Sequence, residues 1–249
     1  MITEKIYNII KEEAQNTAPP TTLLSTGISN TKTAKNSLKT FILYLAPYNQ
    51  NSKGINICPN ASKGCATACL FTAGRGIMAP VIKGRVKKTE YYLRDKKGFI
   101  NQLANEILQK YNNAKRKKEK IAFRLNGTSD IDFVYLLQKY SGLDITSLKD
   151  NAIFYDYTKI KGKIVKYLKH PNYFLTFSRA EDNDNIAKAI LSIGGNVSIV
   201  FRGELPQTYK GHKVIDGDKS DLEMVYNKNV ILGLRAKGEA KKDTSGFVI

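Results

Sequence analysis

The 249-residue chain has three cysteines, and all of them fall in one stretch, NICPNASKGCATACLFTAGRG, residues 56–76. Cys58, Cys65 and Cys69 follow the spacing C-x6-C-x3-C, with Pro59 and Gly64 bending the segment. Disulfides use cysteines in pairs, so three in so short a span fit a disulfide framework poorly. A metal centre fits better. Three thiolates can hold a [4Fe–4S] cluster and leave one iron open to another ligand. Zinc is the first competitor, but a structural zinc takes four protein ligands, usually from paired C-x2-C knuckles. No such pair occurs, and the two histidines, His170 and His212, are remote in sequence. His170 precedes Pro171 at an expected helix end, which suits capping. Three reduced thiols packed as small apolar groups are the remaining alternative, although Lys63 and Gly64 beside them do not read as core.

A second set of chemically able residues stands where apolar runs end. Arg124, Asn126, Ser129 and Asp130 close one run; Asp156, Thr158 and Lys159 close the next; Thr176, Ser178, Arg179 and Glu181 close a third. Arg202, the pair Asp216 and Asp218, and the pair Arg235 and Lys237 end others. Side chains two apart on a strand share a face. Arg124 with Asn126, Asp156 with Thr158, and Thr176 with Ser178 are therefore expected to point into one space beneath the cysteine loop. A different chemistry is offered by DGDKSD, whose Asp216, Asp218 and Asp221 suit a magnesium ion. That reading is a nucleic-acid-binding protein or metal-dependent nuclease, with the cysteine loop purely structural. The segment lacks the glycine at position six and the glutamate at position twelve of a calcium-binding loop.

Positioning such residues requires a scaffold, and the chain alternates accordingly. Residues 2–15 carry Ile2, Ile6, Ile9 and Ile10 at helical spacing, and NTAPPTT then reads as a linker. TFILYLAP (40–47) predicts a strand, followed by the cysteine loop and one or two helices over 81–113, interrupted near Gly98. Strands are expected at 121–127, 152–158, 173–179 and 197–203, with helices at 132–140, 162–170 and 183–195 between them. KVID and VILGLRA add two strands. This is an α/β chain: a partial (β/α) barrel with a largely parallel, curved sheet and the cysteine loop after the first strand. Residues 25–249 form the single domain, and residues 1–24 are an N-terminal helix and linker. Ligands of such sheets bind at the carboxyl ends of the strands, where the polar groups lie.

Composition sets outer limits. Hydrophobic residues make up 42% of the chain, enough for a real core. Lys and Arg number 40 against 22 Asp and Glu, a formal net charge of +18. That excess favours polyanions, with nucleic acid or a nucleotide first. The lysines are spread along the whole chain, so a solvated basic surface is the alternative; KRKKEK at 115–120 reads as a helix end. No apolar run approaches the roughly 20 residues of a membrane span, and the N-terminus is not a secretory leader. A cytoplasmic protein with reduced thiols is expected.

Several stretches taken together carry a resemblance. CPNASKGCATACLFTAGRG, FRLNGTSDIDF, FYDYTK, YFLTFSRAEDN, VIDGDKSDLEM and VILGLRAKGEAKKDTSGFV occur in this order. They resemble the gene product 88 family of phages and plasmids. Some relatives with this cysteine spacing look like distant radical S-adenosylmethionine proteins, whose open iron is chelated by the cofactor's amino and carboxylate groups. The spacing here differs from the C-x3-C-x2-C common in that group, and Ala68 stands where an aromatic residue is usual. The resemblance and the cysteine spacing imply a phage or mobile-element iron–sulfur protein, radical S-adenosylmethionine-like, in the host cytoplasm, and the basic charge would recruit a nucleic acid or nucleotide to it. The resemblance implies Cys58, Cys65 and Cys69 as cluster ligands. It also implies that Arg124, Asn126, Asp130, Asp156, Thr158, Lys159, Ser178 and Arg179 face the cavity that holds cofactor and substrate.

Overall fold

A computed structural model of the protein describes residues 3–29, 33–69, 71 and 74–249. In chain order the helices are α1 (Glu4–Gln15), α2 (Lys63–Thr67), α3 (Ala79–Arg94), α4 (Lys96–Arg116), α5 (Phe133–Ser141), α6 (Lys161–Tyr167), α7 (Asp184–Ser192) and α8 (Glu223–Tyr226). Helix α1 begins where the Thr3 hydroxyl accepts the Ile6 amide, and it buries Ile6 and Ile10, one turn apart. These pack on Ile82 and Val86 of α3, so the N-terminal helix is docked on the rest of the chain. Ile2, which the spacing adds to this face, lies outside the described residues. The long basic stretch after the cysteines divides at Asp95, whose carboxylate caps α4 by accepting the Gly98 amide at 2.8 Å. A charge at a helix start both satisfies a free amide and meets the positive end of the helix dipole.

The strands are β1 (Leu24–Thr26), β2 (Lys39–Leu43), β3 (Ile121–Arg124), β4 (Ala152–Thr158), β5 (Tyr173–Ser178), β6 (Asn196–Phe201), β7 (Thr208–Tyr209), β8 (His212–Asp216) and β9 (Ile231–Arg235). They form one open sheet in the order β1-β2-β3-β4-β5-β6-β9-β8-β7. The edge strands β1 and β7 run antiparallel to their neighbours, and all other pairs are parallel. The strands expected from periodicity are present and parallel. The cysteine stretch follows the second strand, however, because β1 precedes β2.

From β2 to β6 the spatial order equals the chain order. Crossovers that all advance the same way and share one hand collect their helices on one face of a sheet. That face is apolar: Phe41, Phe123, Phe154 and Tyr173 pack with α4 and α5, and the Phe123 and Phe154 rings stack at 4.9 Å. Further along, Phe177, Val197, Ile199 and Ile231 meet Ile164 of α6 and Ala187 and Ile190 of α7. The inner face alternates with it. There Ala122, Tyr155, Phe174 and Leu232 are covered by Leu222 and Met224 from the segment around α8. The inner face is thus plugged by a short stretch of chain, with no layer of crossover helices over it.

Candidate metal centre

The cysteine segment is held by the exits of three successive strands. After β3, the Asp130 amide donates to the Ile57 carbonyl at 3.0 Å, and the Cys58 thiol points at the Thr128 carbonyl, 3.7 Å away. After β4, the Lys159 carbonyl accepts from Asn60 Nδ2 at 3.2 Å. After β5, Glu181 Oε2 accepts the Ser62 hydroxyl and Oε1 the Gly64 amide, each at 2.7 Å. Ser62 in turn caps α2 by accepting the Cys65 amide at 3.1 Å. Burial opposes the charge on Glu181, yet the Ser62 hydroxyl and the amides around it hold its carboxyl below the usual range.

Three apolar clusters meet at the thiols. Cys58 lies against the Phe99–Phe133 core, Cys69 against Phe71 and Ile82, and Cys65 against Ala68, Ala180 and Phe247. Burial pushes all three thiols up in pKa, Cys58 to about 12. Charge on Cys65 and Cys69 raises Cys58, charge on Cys65 raises Cys69, and Glu181 and Asp130 raise Cys65. Two cations oppose that rise. Lys159 acts on Cys65 by charge and by a hydrogen bond, and Arg85 and Lys159 both act on Cys69. Lys159 Nζ is fixed by Ser178 Oγ at 2.8 Å and lies 5.3 Å from the Phe247 ring centre. Among the described residues, no three His, Cys, Asp or Glu side chains are gathered closely enough to hold a single ion. Ligands of one tetrahedral zinc sit within about 4 Å of each other. A cluster binds its three thiolates through separate irons, so they stand farther apart.

The strand-end residues divide between the two faces. Phe123 pairs with Phe154, so Arg124 sits beside Tyr155 and not beside Asp156. Tyr157 pairs with Thr176, and Ser178 with Ser198. Arg124, Thr176 and Ser178 therefore share the inner face with Tyr155, Tyr157 and the Lys159 ammonium. The expectation that Asn126, Asp130, Asp156 and Thr158 point into the same space is corrected, because these four turn to the helix face. There Asp156 Oδ1 accepts the Asn126 amide at 2.7 Å, and Oδ2 accepts Asn126 Nδ2 at 3.0 Å and the Tyr173 hydroxyl at 3.1 Å. Asp130 accepts from Thr158 Oγ1 at 2.7 Å, the Lys159 amide at 2.8 Å and buried Lys163 at 2.9 Å. The polar positions of β3 and β4 are out of phase by one residue in the paired register, and a one-residue offset reverses the face. Asn126 also lies past the end of β3, where strand parity no longer applies. Arg179 goes elsewhere: it pairs with Asp184 at the start of α7 and donates to the carbonyls of Gly246 and Phe247.

The three aspartates of DGDKSD do not form one site. Asp216 pairs with Arg235 at 3.0 Å and Asp218 with Lys237 at 2.7 Å. Asp221 is fully buried on the inner face, where Arg124 reaches it at 3.3 Å and the Tyr155 and Tyr157 hydroxyls at 3.4 and 3.5 Å. Burial would weaken the Arg124 charge, but Asp221 and the two tyrosines raise its pKa above the ordinary arginine value. Sequence reasoning missed Arg85, Lys163 and Tyr44. Arg85 had one available signal: it stands at helical spacing between Ile82 and Thr89, a cation on the buried face of α3.

The comparisons with known proteins give one family. The sequence model described as Gene product 88 matches residues 21–249. No curated protein and no solved structure matches the chain.

Proposed function

Starting from the chain's membership of the gene product 88 family, we propose that it is an iron–sulfur protein in which Cys58, Cys65 and Cys69 hold a [4Fe–4S] cluster. What supports this is that the segment carrying all three cysteines is pinned to the exits of β3, β4 and β5, with Lys159 acting on Cys65 and both Lys159 and Arg85 on Cys69. The half-buried thiols resist ionisation, so they favour a partner that brings its own positive charge. Three thiolates on a cluster core leave net negative charge, which the two cations offset. The thiols are half-buried, and the apolar side chains beside them limit the water that reaches a bound centre. When bound, the cluster supplies one electron and an open iron, and we assign that position to S-adenosylmethionine.

The chain's own residues have separate roles in this reading. Lys159, oriented by Ser178, offsets charge at Cys65. Arg124, kept charged by Asp221, presents a cation on the inner face to an anionic substrate, a nucleotide or nucleic acid, which the +18 charge also favours. Asn126, Asp130, Asp156 and Thr158 hold the strand exits in position from the helix side. Arg179 anchors the C-terminal segment whose Phe247 walls Cys65. The sheet is read as a segment of a βα barrel, and the protein as a cytoplasmic product of a phage or other mobile element. The nuclease reading is weaker, because each of its three aspartates already has a cation.

The test is anaerobic reconstitution with iron and sulfide, followed by metal and acid-labile sulfide analysis. The wild type is expected to take up both, and Cys58→Ala, Cys65→Ala and Cys69→Ala are expected to lose the centre alike. Stoichiometric zinc in the wild type, or full iron in any one variant, would overturn the assignment.

A further inference from the structure

Arg85 is a half-buried cation with no carboxylate paired to it among the described residues. Its guanidinium carbon lies 5.0 Å from the Tyr44 ring centre and 5.6 Å from that of Phe71. Neither Nε nor Nη1 has a hydrogen-bond partner, and both atoms are out of solvent. Two guanidinium N–H groups taken out of water and left idle are costly unless something supplies the missing acceptors. The two aromatic faces attract its charge, but they cannot accept at the N–H groups in the guanidinium plane.

Other idle donors lie on the inner face of the sheet. Among the described residues, the buried side-chain donors without a partner belong to Arg85, Arg124 and Thr176. Arg124 and Thr176 lie on the inner face on either side of Tyr157, which pairs with Thr176 and stacks on the Arg124 guanidinium at 5.1 Å. Tyr44 connects this group to Arg85. It continues the strand from Ile42, the register partner of Arg124, and its hydroxyl is within electrostatic reach of both guanidinium groups. Gly127 leaves room for the ring, because a Cβ there would stand 2.5 Å from Tyr44 Cδ1. Arg85 thus keeps two unfilled donors beside the Tyr44 ring and near Cys69, and Arg124 Nε and the Thr176 hydroxyl are unfilled on the inner face.

We propose that this is a binding site for an oxyanion, the phosphate or carboxylate of a small ligand, with Arg85 as the principal donor and Arg124 Nε as the second. The planar fork of arginine suits both anions, which share its bidentate geometry. The site needs no cluster, because none of its donors is a thiol, and the titration is made on protein without iron because a negatively charged cluster beside Arg85 would weaken oxyanion binding.

The full chain is titrated with sodium phosphate and, separately, with sodium acetate, each against sodium chloride at matched ionic strength. Heat of binding and thermal midpoint are followed. Saturable binding of one anion is expected, phosphate identifying a phosphoryl group and acetate a carboxylate, with a matching rise in midpoint. Arg85→Gln is expected to weaken that binding by about 10- to 100-fold, the worth of one charged hydrogen bond. Arg85→Lys keeps the charge and loses the fork, so intermediate affinity is expected; it carries the test if Arg85→Gln does not fold. Two results would overturn the proposal: no saturable response to either anion, or undiminished binding in Arg85→Gln or Arg85→Lys.

Discussion

Asp156 takes three donors on its two oxygens and has almost no exposure. Burial nevertheless dominates its titration. It raises the carboxyl from 3.8 to about 6, against the pull of Lys163, the Asn126 donors and Arg124. The folded chain therefore binds this proton at a pH where the unfolded chain has released it. Stability from this group is greatest below about pH 4 and falls as the pH rises to about 6, by about 3 kcal/mol in all. Asp156→Asn cannot titrate. Urea unfolding of both proteins between pH 4 and 7 should show wild type losing ground relative to the variant as pH rises. A constant difference between them across that range would contradict the account. At this scale the cysteines were legible because three thiols in twelve positions stand out whatever the fold. The facing of Asp156 and Thr158 was not, because parity within one strand says nothing about register with its neighbour. That depends on Phe123 meeting Phe154.

Helix α2 shows how an element too short to be stable alone is held by its surroundings. It has five residues, fewer than a free helix needs, and Glu181 and Ser62 satisfy its first amides. Gly64 permits the close approach of the C-terminal segment. A Cβ there would lie 2.3 Å from Ser245 Oγ, 2.8 Å from Glu181 Oε2 and 2.8 Å from Phe247 Cβ. The first two are side-chain ends that can move, but the Phe247 Cβ moves only with its backbone. Gly64→Ala gains about 1 kcal/mol of helix propensity and faces about 1–3 kcal/mol of overpacking. The expected result is displacement of the tail, read as faster hydrogen exchange at the Phe247 and Val248 amides. Unchanged exchange at both would contradict it. Elements of this length escape periodicity: β1 has three residues, β7 two and α2 five. The longer strands and helices were readable because each repeats its pattern several times, and the break between α3 and α4 announced itself as Asp95 followed by Gly98.

For the molecule as a whole, chain order and spatial order agree from β2 to β6. The exits of neighbouring strands consequently lie side by side, and residues 70 or more apart in sequence hold one loop. Cys58 and Thr128, and Ser62 and Glu181, are such pairs. The parallel α/β class followed from alternating strand and helix patterns. The insertion of β9 between β6 and β8 did not, because nothing in KVID or VILGLRA specifies which strand each joins. The central claim is a cluster on three cysteines with one iron free of protein sulfur. Mössbauer spectroscopy of protein reconstituted anaerobically with iron-57 tests it most directly. The account predicts one iron site distinct from the other three, altered when S-adenosylmethionine is added. Four equivalent irons, or a protein that binds zinc and no iron, would contradict it.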